Sequence, residues 1–305
     1  MPTPSVTVRV PASTANLGPG FDTLGIALQL HNHVRVTRIP TAGVTLSSPI
    51  AGDARSGALA VIEEAAALYF RQTRQRPFGF DIHLSGEVPI ARGLGSSVTV
   101  RLGVVAALDA LAETGLSRQD LFQQVTELEG HPDNAAPATF GGFTAATLVG
   151  REARCLRLPV DPRLTFVTLI PPFEVSTKAA RERVPDAFSK ADAVHNLTRV
   201  SLITAAFALR AHDSLRGLFD DRLHQPYREP LIPQLPRVLR AGEKAGALGG
   251  WLSGSGSTII CLTLDHPEAV ARAMARQIPG STSRLLKADP RGYLVSRARR
   301  SSRAR

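Results

Sequence analysis

Cysteine is nearly absent: the 305 residues carry two, Cys155 and Cys261, with no CxxC or Cys/His spacing around them. That excludes a disulfide framework and a structural zinc site, which need several ligands at close spacing, and leaves reduced, buried thiols as the expectation. No apolar run approaches the roughly 18 residues that a membrane span requires. The start, MPTPSVTVRVP, lacks the charged-then-apolar pattern of a secretory leader. A soluble cytoplasmic protein without a membrane partner is expected. Repeats and low-complexity linkers are also missing. What the chain does have is 43% hydrophobic residues, enough to bury a substantial core in one large domain or two compact lobes.

Acids are the scarcer charge, leaving a formal net charge of +10. Much of the excess sits at the end, where Arg291, Arg297, Arg299, Arg300, Arg303 and Arg305 occur with no acid among them. Such a run reads as a solvated, frayed tail. The rival reading is a non-catalytic basic protein using that tail on nucleic acid, a partner not expected here. Without the tail, the charge is ordinary for an enzyme that handles anions.

Val6, Val8 and Val10 alternate with Ser5, Thr7 and Arg9, the period-two pattern of a half-buried strand. Val34 with Val36, and Phe80, Ile82 and Leu84, repeat the pattern, with a helix expected over roughly 57–71 between them. Val98, Leu102, Val105, Leu108 and Leu111 mark one stripe of a helix. Ser117 followed by Asp120 predicts a capping box opening a second helix to about Glu129. Beyond it, Pro132 and Pro137 break regularity. A strand is expected over 164–170, helices over 190–211, 230–246 and 268–277, extended chain over 247–252 and 258–264, and a last strand over 284–287. Strands mixed with helices without strict alternation favour an α+β fold.

The segment carrying most chemistry is Pro89-Ile90-Ala91-Arg92-Gly93-Leu94-Gly95-Ser96-Ser97, running through Val98 and Thr99 into the helix. Glycines let backbone approach an anion closely, and the N–H groups at a helix start lack internal partners. Together with the helix dipole they make a phosphate cradle. The bland alternative is a tight strand-to-helix turn. Neither a Walker loop nor a GxGxxG dinucleotide fingerprint is present.

This run resembles the PxxxGLGSSA signature of the GHMP kinases, departing from it where Val98-Thr99-Val100 replace small alanines. The resemblance implies that residues 89–99 wrap the phosphates of ATP and that Ser97 helps to hold Mg2+. The segment 247–257 is similar to the family's third, glycine-rich motif, with Gly254 and Gly256 beside the phosphates and Ser257 where a proline is common. Read alone, it is a flexible hairpin.

Residues 11–25, PASTANLGPGFDTLG, resemble the homoserine-kinase branch of that family, as does 129–137, EGHPDNAAP. The first implies Asn16 and Asp22 at an acceptor amino acid, Asp22 meeting its ammonium. The second implies Glu129 as the Mg2+ partner of Ser97 and His131 at homoserine. Asp133 is then either a general base or a residue orienting its neighbours, with Asn134 beside it at the reaction centre. The segments STKAAR at 176–181 and DRLHQPYREP at 221–230 are similar to further family stretches. They imply Thr177 and Arg181 near the reacting groups, and Arg181 with Arg228 as clamps for a carboxylate, whose two oxygens match a guanidinium fork.

The resemblance spans Pro11 to about Leu264. It departs where Ser56-Gly57-Ala58-Leu59 stand in place of the Asn-Leu pair that opens the nucleotide-contacting helix. The fold implied is a two-lobed α+β GHMP kinase fold: residues 1–160 as a ribosomal-S5-like N-terminal lobe, residues 161–305 as a ferredoxin-like C-terminal lobe carrying the basic tail 291–305. The activity implied is ATP-dependent phosphorylation of L-homoserine on the way to threonine. A GHMP kinase with a different alcohol acceptor is the alternative, and a homodimer is compatible with either.

Overall fold

In the computed structural model, which describes residues 5–297, the alternating valines form β1 (Ser5–Ala15) with Val6, Val8 and Val10 buried. β2 (Leu24–Arg38), β3 (Val44–Leu46), α1 (Gly52–Thr73), β4 (Phe80–Gly86), α2 (Ser96–Ala112), α3 (Arg118–Glu129), α4 (Ala135–Phe140), β5 (Phe143–Val149) and β6 (Glu152–Leu158) follow. The capping box forms as expected: Ser117 accepts from the Asp120 N–H while the Asp120 carboxylate accepts from the Ser117 N–H. Then come β7 (Thr165–Ile170), α5 (Thr177–Glu182), α6 (Lys190–Leu209), α7 (Gln225–Arg228), α8 (Leu235–Lys244), β8 (Gly249–Leu252), β9 (Ile259–Thr263), α9 (Pro267–Ala275), β10 (Thr282–Leu286) and β11 (Leu294–Arg297).

The strands form two sheets. One is seven-stranded, β11-β1-β2-β4-β3, with the β5–β6 hairpin joined to the start of β2. The other is four-stranded, β10-β7-β9-β8. Its pairing places the first strand of the lobe between the last and the third, the split-βαβ, ferredoxin-like order. The fold is therefore two-lobed α+β. The lobes are welded by a shared core in which Phe143 stacks on Phe207 at 4.6 Å and Phe219 on Trp251 at 4.9 Å. The buried Trp251 indole N–H donates to Thr14 Oγ1 at 2.9 Å, satisfying its one polar atom.

Four local expectations change. The strand at the end of the second sheet is not the last, because β11 returns to pair with β1. The frayed-tail reading fails over Leu294–Arg297. There the edge of β1 offers unpaired backbone groups that a further strand satisfies. Arg118 also secures the approach, with its guanidinium 4.5 Å from the Tyr293 ring and donating to the Tyr293 carbonyl at 3.0 Å. Residues 298–305, with four of the six tail arginines, lie outside the described residues. The helix expected over 230–246 is broken, since Ile232, restricted by the following Pro233, leaves the helical region at φ −140°, and α8 begins only at Leu235. Pro137 sits in the first turn of α4 rather than ending structure, at a position where a missing N–H costs nothing. The β5–β6 hairpin had no alternation strong enough to be read.

Both cysteines are free thiols. Burial pushes Cys155 up to about 12 and raises Cys261 further. Because the thiolate is the reactive form, neither will be titrated by Ellman's reagent at about pH 8 in the native protein, and both will be after denaturation.

Candidate functional site

A cleft of ≈ 770 Å³ is lined by residues of both lobes. One end is built by the loop between β4 and α2. Gly93 and Gly95 have φ of +71° and +69°, and a Cβ on Gly95 would lie 2.3 Å from Ser13 Oγ, so both the turn and the close approach demand glycine. The first intrahelical bond of α2 runs from the Thr99 N–H to the Gly95 carbonyl. The N–H groups of Ser96, Ser97 and Val98 thus precede any helical partner, the arrangement that accepts an anion. The second glycine loop packs directly behind: Ser253 Oγ donates to the Gly93 carbonyl at 2.6 Å, and the Thr258 N–H to that of Arg92 at 3.2 Å.

Of the predicted loop residues, Ile90, Ala91, Arg92, Gly93, Gly95, Ser96, Ser97, Val98 and Gly254 line the cleft. Pro89, Leu94, Thr99 and Gly256 do not. Leu94 is in the core, Thr99 Oγ1 donates to the Ser96 carbonyl at 2.7 Å, and the Gly256 N–H donates to that of Ser253, so these support the loops rather than face the cleft. Ser255, not foreseen, lines the cleft and meets Thr177 Oγ1 at 3.2 Å.

Beside the cradle, Ser97 Oγ donates to Glu129 Oε1 at 2.9 Å. A hydroxyl and a carboxylate this close suit a hard divalent cation, which takes oxygen ligands. Arg101 was missed. Its Nη1 donates to Glu129 Oε1 at 2.6 Å and its Nη2 to Glu64 Oε2 at 2.6 Å. The available signal was spacing, since Arg101 follows Ser97 by one helical turn.

The other end is ionic. The buried Asn16 shapes the turn after β1: its Oδ1 accepts from the Asp22 N–H at 3.0 Å and its Nδ2 donates to the Gly254 carbonyl at 3.2 Å. Asp22 and Arg181, expected to hold opposite ends of one acceptor, pair with each other at 2.9 and 3.0 Å. His131 Nδ1 contacts the buried Asp133 carboxylate. Burial pulls the His131 imidazolium down, but the hydrogen bond and charge of Asp133 outweigh it, and the net shift is upward. Asn134 Oδ1 accepts from Ser13 Oγ at 2.8 Å. Arg228, 2% exposed, donates through Nε to the Ala180 carbonyl and through Nη1 to that of Gly254. Burial, then Arg181, pull it down to about 10, which leaves it a cation at neutral pH. Asp22, His131 and Asp133 bring their ligand atoms within 4.8 Å of one another. The cleft thus joins an anion cradle and a carboxylate–hydroxyl pair to a pocket carrying both signs of charge.

Residues 60–142 match the family of GHMP kinases N terminal domain, and residues 203–280 match GHMP kinases C terminal. A homoserine kinase of Moorella thermoacetica is 39% identical over 88% of this chain and 90% of its own length. One of Microchaete diplosiphon is 38% identical over 94% and 96%. The crystal structure of a homoserine kinase from Cytophaga hutchinsonii, 27% identical, superposes with a TM-score of 0.85 over 96% of this chain and 97% of that one. Among the described residues, no helix is long and apolar enough to cross a membrane.

Proposed function

The chain belongs to the homoserine kinases of the GHMP kinase family, and from that footing we propose that it transfers the γ-phosphate of ATP to the side-chain hydroxyl of L-homoserine, releasing O-phospho-L-homoserine. The observation that carries this reading is the shared cleft: phosphate-binding backbone at one end, a pocket of paired opposite charges at the other. An α-amino acid is a zwitterion, and Asp22 and Arg181 already neutralise each other where its head would sit. On binding, the acceptor's ammonium turns to Asp22 and its carboxylate to Arg181 and Arg228, exchanging one ion pair for two. An alcohol without that head gains nothing from the exchange.

The N–H groups of Ser96, Ser97 and Val98, with the glycines behind them, hold the triphosphate. Ser97 and Glu129 would hold Mg2+, which when bound neutralises negative charge on the phosphates. His131, oriented by Asp133, faces the acceptor. Phosphoryl transfer through a loose transition state asks for positioning and charge neutralisation more than for a strong base. Asp133 is accordingly assigned an orienting role, with Asn134 and Thr177 ordering the two loops around the reacting oxygen.

The test is ADP release by the purified chain with ATP and Mg2+, with and without L-homoserine, against alcohols lacking the ammonium or the carboxylate. Release dependent on L-homoserine is expected. Equal release with headless alcohols, or none with L-homoserine, would overturn the reading. Ser97→Ala should lower kcat about tenfold or more and raise the Mg2+ concentration needed for half-maximal rate.

A further inference from the structure

His224 lies one turn before Arg228, its side chain entirely buried. Its two ring nitrogens face partners that leave no choice of tautomer. Nε2 is 2.8 Å from the Gly18 carbonyl oxygen, which only accepts, so Nε2 carries the proton. Nδ1 is 3.1 Å from Arg228 Nη1, which only donates, so Nδ1 offers its lone pair. Burial, the largest influence on this imidazole, lowers its proton affinity and keeps it neutral despite the Asp221 carboxylate 3.4 Å away. Phe21 completes the seat, stacking on His224 at 5.1 Å with its ring 5.2 Å from the Arg228 guanidinium carbon. Asp221 fixes the backbone beneath, accepting from the N–H groups of Leu223, His224 and Gln225.

The consequence is a guanidinium with one free nitrogen. Nε and Nη1 are taken by Ala180, Gly254 and His224, and Nη2 has no protein acceptor among the described residues, while Arg228 lines the cleft. We propose that neutral His224 is the positioning residue that orients Arg228 toward the acceptor's carboxylate by offering its Nδ1 lone pair to Nη1. The proposal rests on the acceptor pocket assigned above.

The test compares His224→Asn with His224→Gln in the full chain with ATP, Mg2+ and L-homoserine. The Asn side-chain oxygen sits at the depth of Nδ1 and keeps an acceptor for Arg228, whereas the Gln amide reaches to the depth of Nε2 and serves Gly18 alone. His224→Gln should raise the KM for L-homoserine about tenfold or more with the KM for ATP within about twofold, and His224→Asn should stay within about threefold of wild type. Equal KM increases in both variants, parallel rises in both substrates' KM, or no change in His224→Gln would overturn it. A wild type that does not turn over L-homoserine sinks the assigned function instead, and is read first. Nitrogen-15 NMR of the wild-type imidazoles needs neither variant nor substrate: a protonated Nε2 and bare Nδ1 are expected from about pH 6 to 8, and a protonated Nδ1 refutes the proposal.

Discussion

Arg228→Ala raises the KM for L-homoserine about a hundredfold and moves the KM for ATP by less than about threefold in steady-state assays. The asymmetry follows from where the guanidinium is spent. Two of its three protein bonds go to groups at the acceptor end, Ala180 and His224, the third goes to the Gly254 carbonyl of the second glycine loop, and its open nitrogen has only a ligand to meet. A hydrogen bond between charged groups is worth about 1.5–3 kcal/mol, and the upper part of that range corresponds to about a hundredfold. The buried site adds a stability cost, since truncation leaves a cavity and the His224 lone pair unmatched, so a lowered melting temperature accompanies the change. Arg228→Lys keeps the charge but not the planar guanidinium that Ala180, Gly254 and His224 hold in place, and should recover little of the affinity. Equal rises in both KM values would mean that Arg228 only braces the backbone around Ala180 and Gly254.

How far this site could be read from the sequence depends on how local each interaction is. The strand of Val6, Val8 and Val10, the Ser117–Asp120 box and the glycine turn into α2 are set by neighbours a few residues apart, and each took the predicted form. The Asp22–Arg181 pair spans 159 residues and the His224–Gly18 bond 206, and no periodicity encodes either. Family resemblance named Asp22 and Arg181 as binding residues, yet could not say that they bind each other first. β11 was hidden for another reason. Arginine content dominated its reading, while what decides its state is an unsatisfied edge almost three hundred residues earlier in the chain. Asn16 was expected at the ligand, and its amide proves to close the turn that presents Asp22, a role visible only once the positive φ values of residues 16–18 are known.

Gly93→Ala should abolish measurable nucleotide binding at concentrations where the wild type is saturated, and lower the melting temperature as well. At φ +71°, an alanine costs about 1–2 kcal/mol in backbone strain alone. The larger penalty is spatial. Its Cβ would lie 2.1 Å from the Ser253 carbonyl oxygen and 2.9 Å from both N and O of Gly256, and every one of these atoms is backbone. No rotamer change relieves the overlap, so the two glycine loops must separate. Separation takes the Ser253 hydroxyl from the Gly93 carbonyl and pulls the wall of the cradle away from the start of α2. Gly254→Ala is the matched control: its φ of +53° imposes comparable strain, but the nearest atom to its Cβ is the Gly93 carbonyl oxygen at 3.3 Å. Titration calorimetry with Mg2+ and a non-hydrolysable ATP analogue should find Gly254→Ala weakened about tenfold or less and Gly93→Ala without heat, on protein that circular dichroism shows to be folded. If Gly93→Ala binds the analogue like wild type, close contact between the two loops is not what forms the anion site, and the triphosphate must be held elsewhere in the cleft.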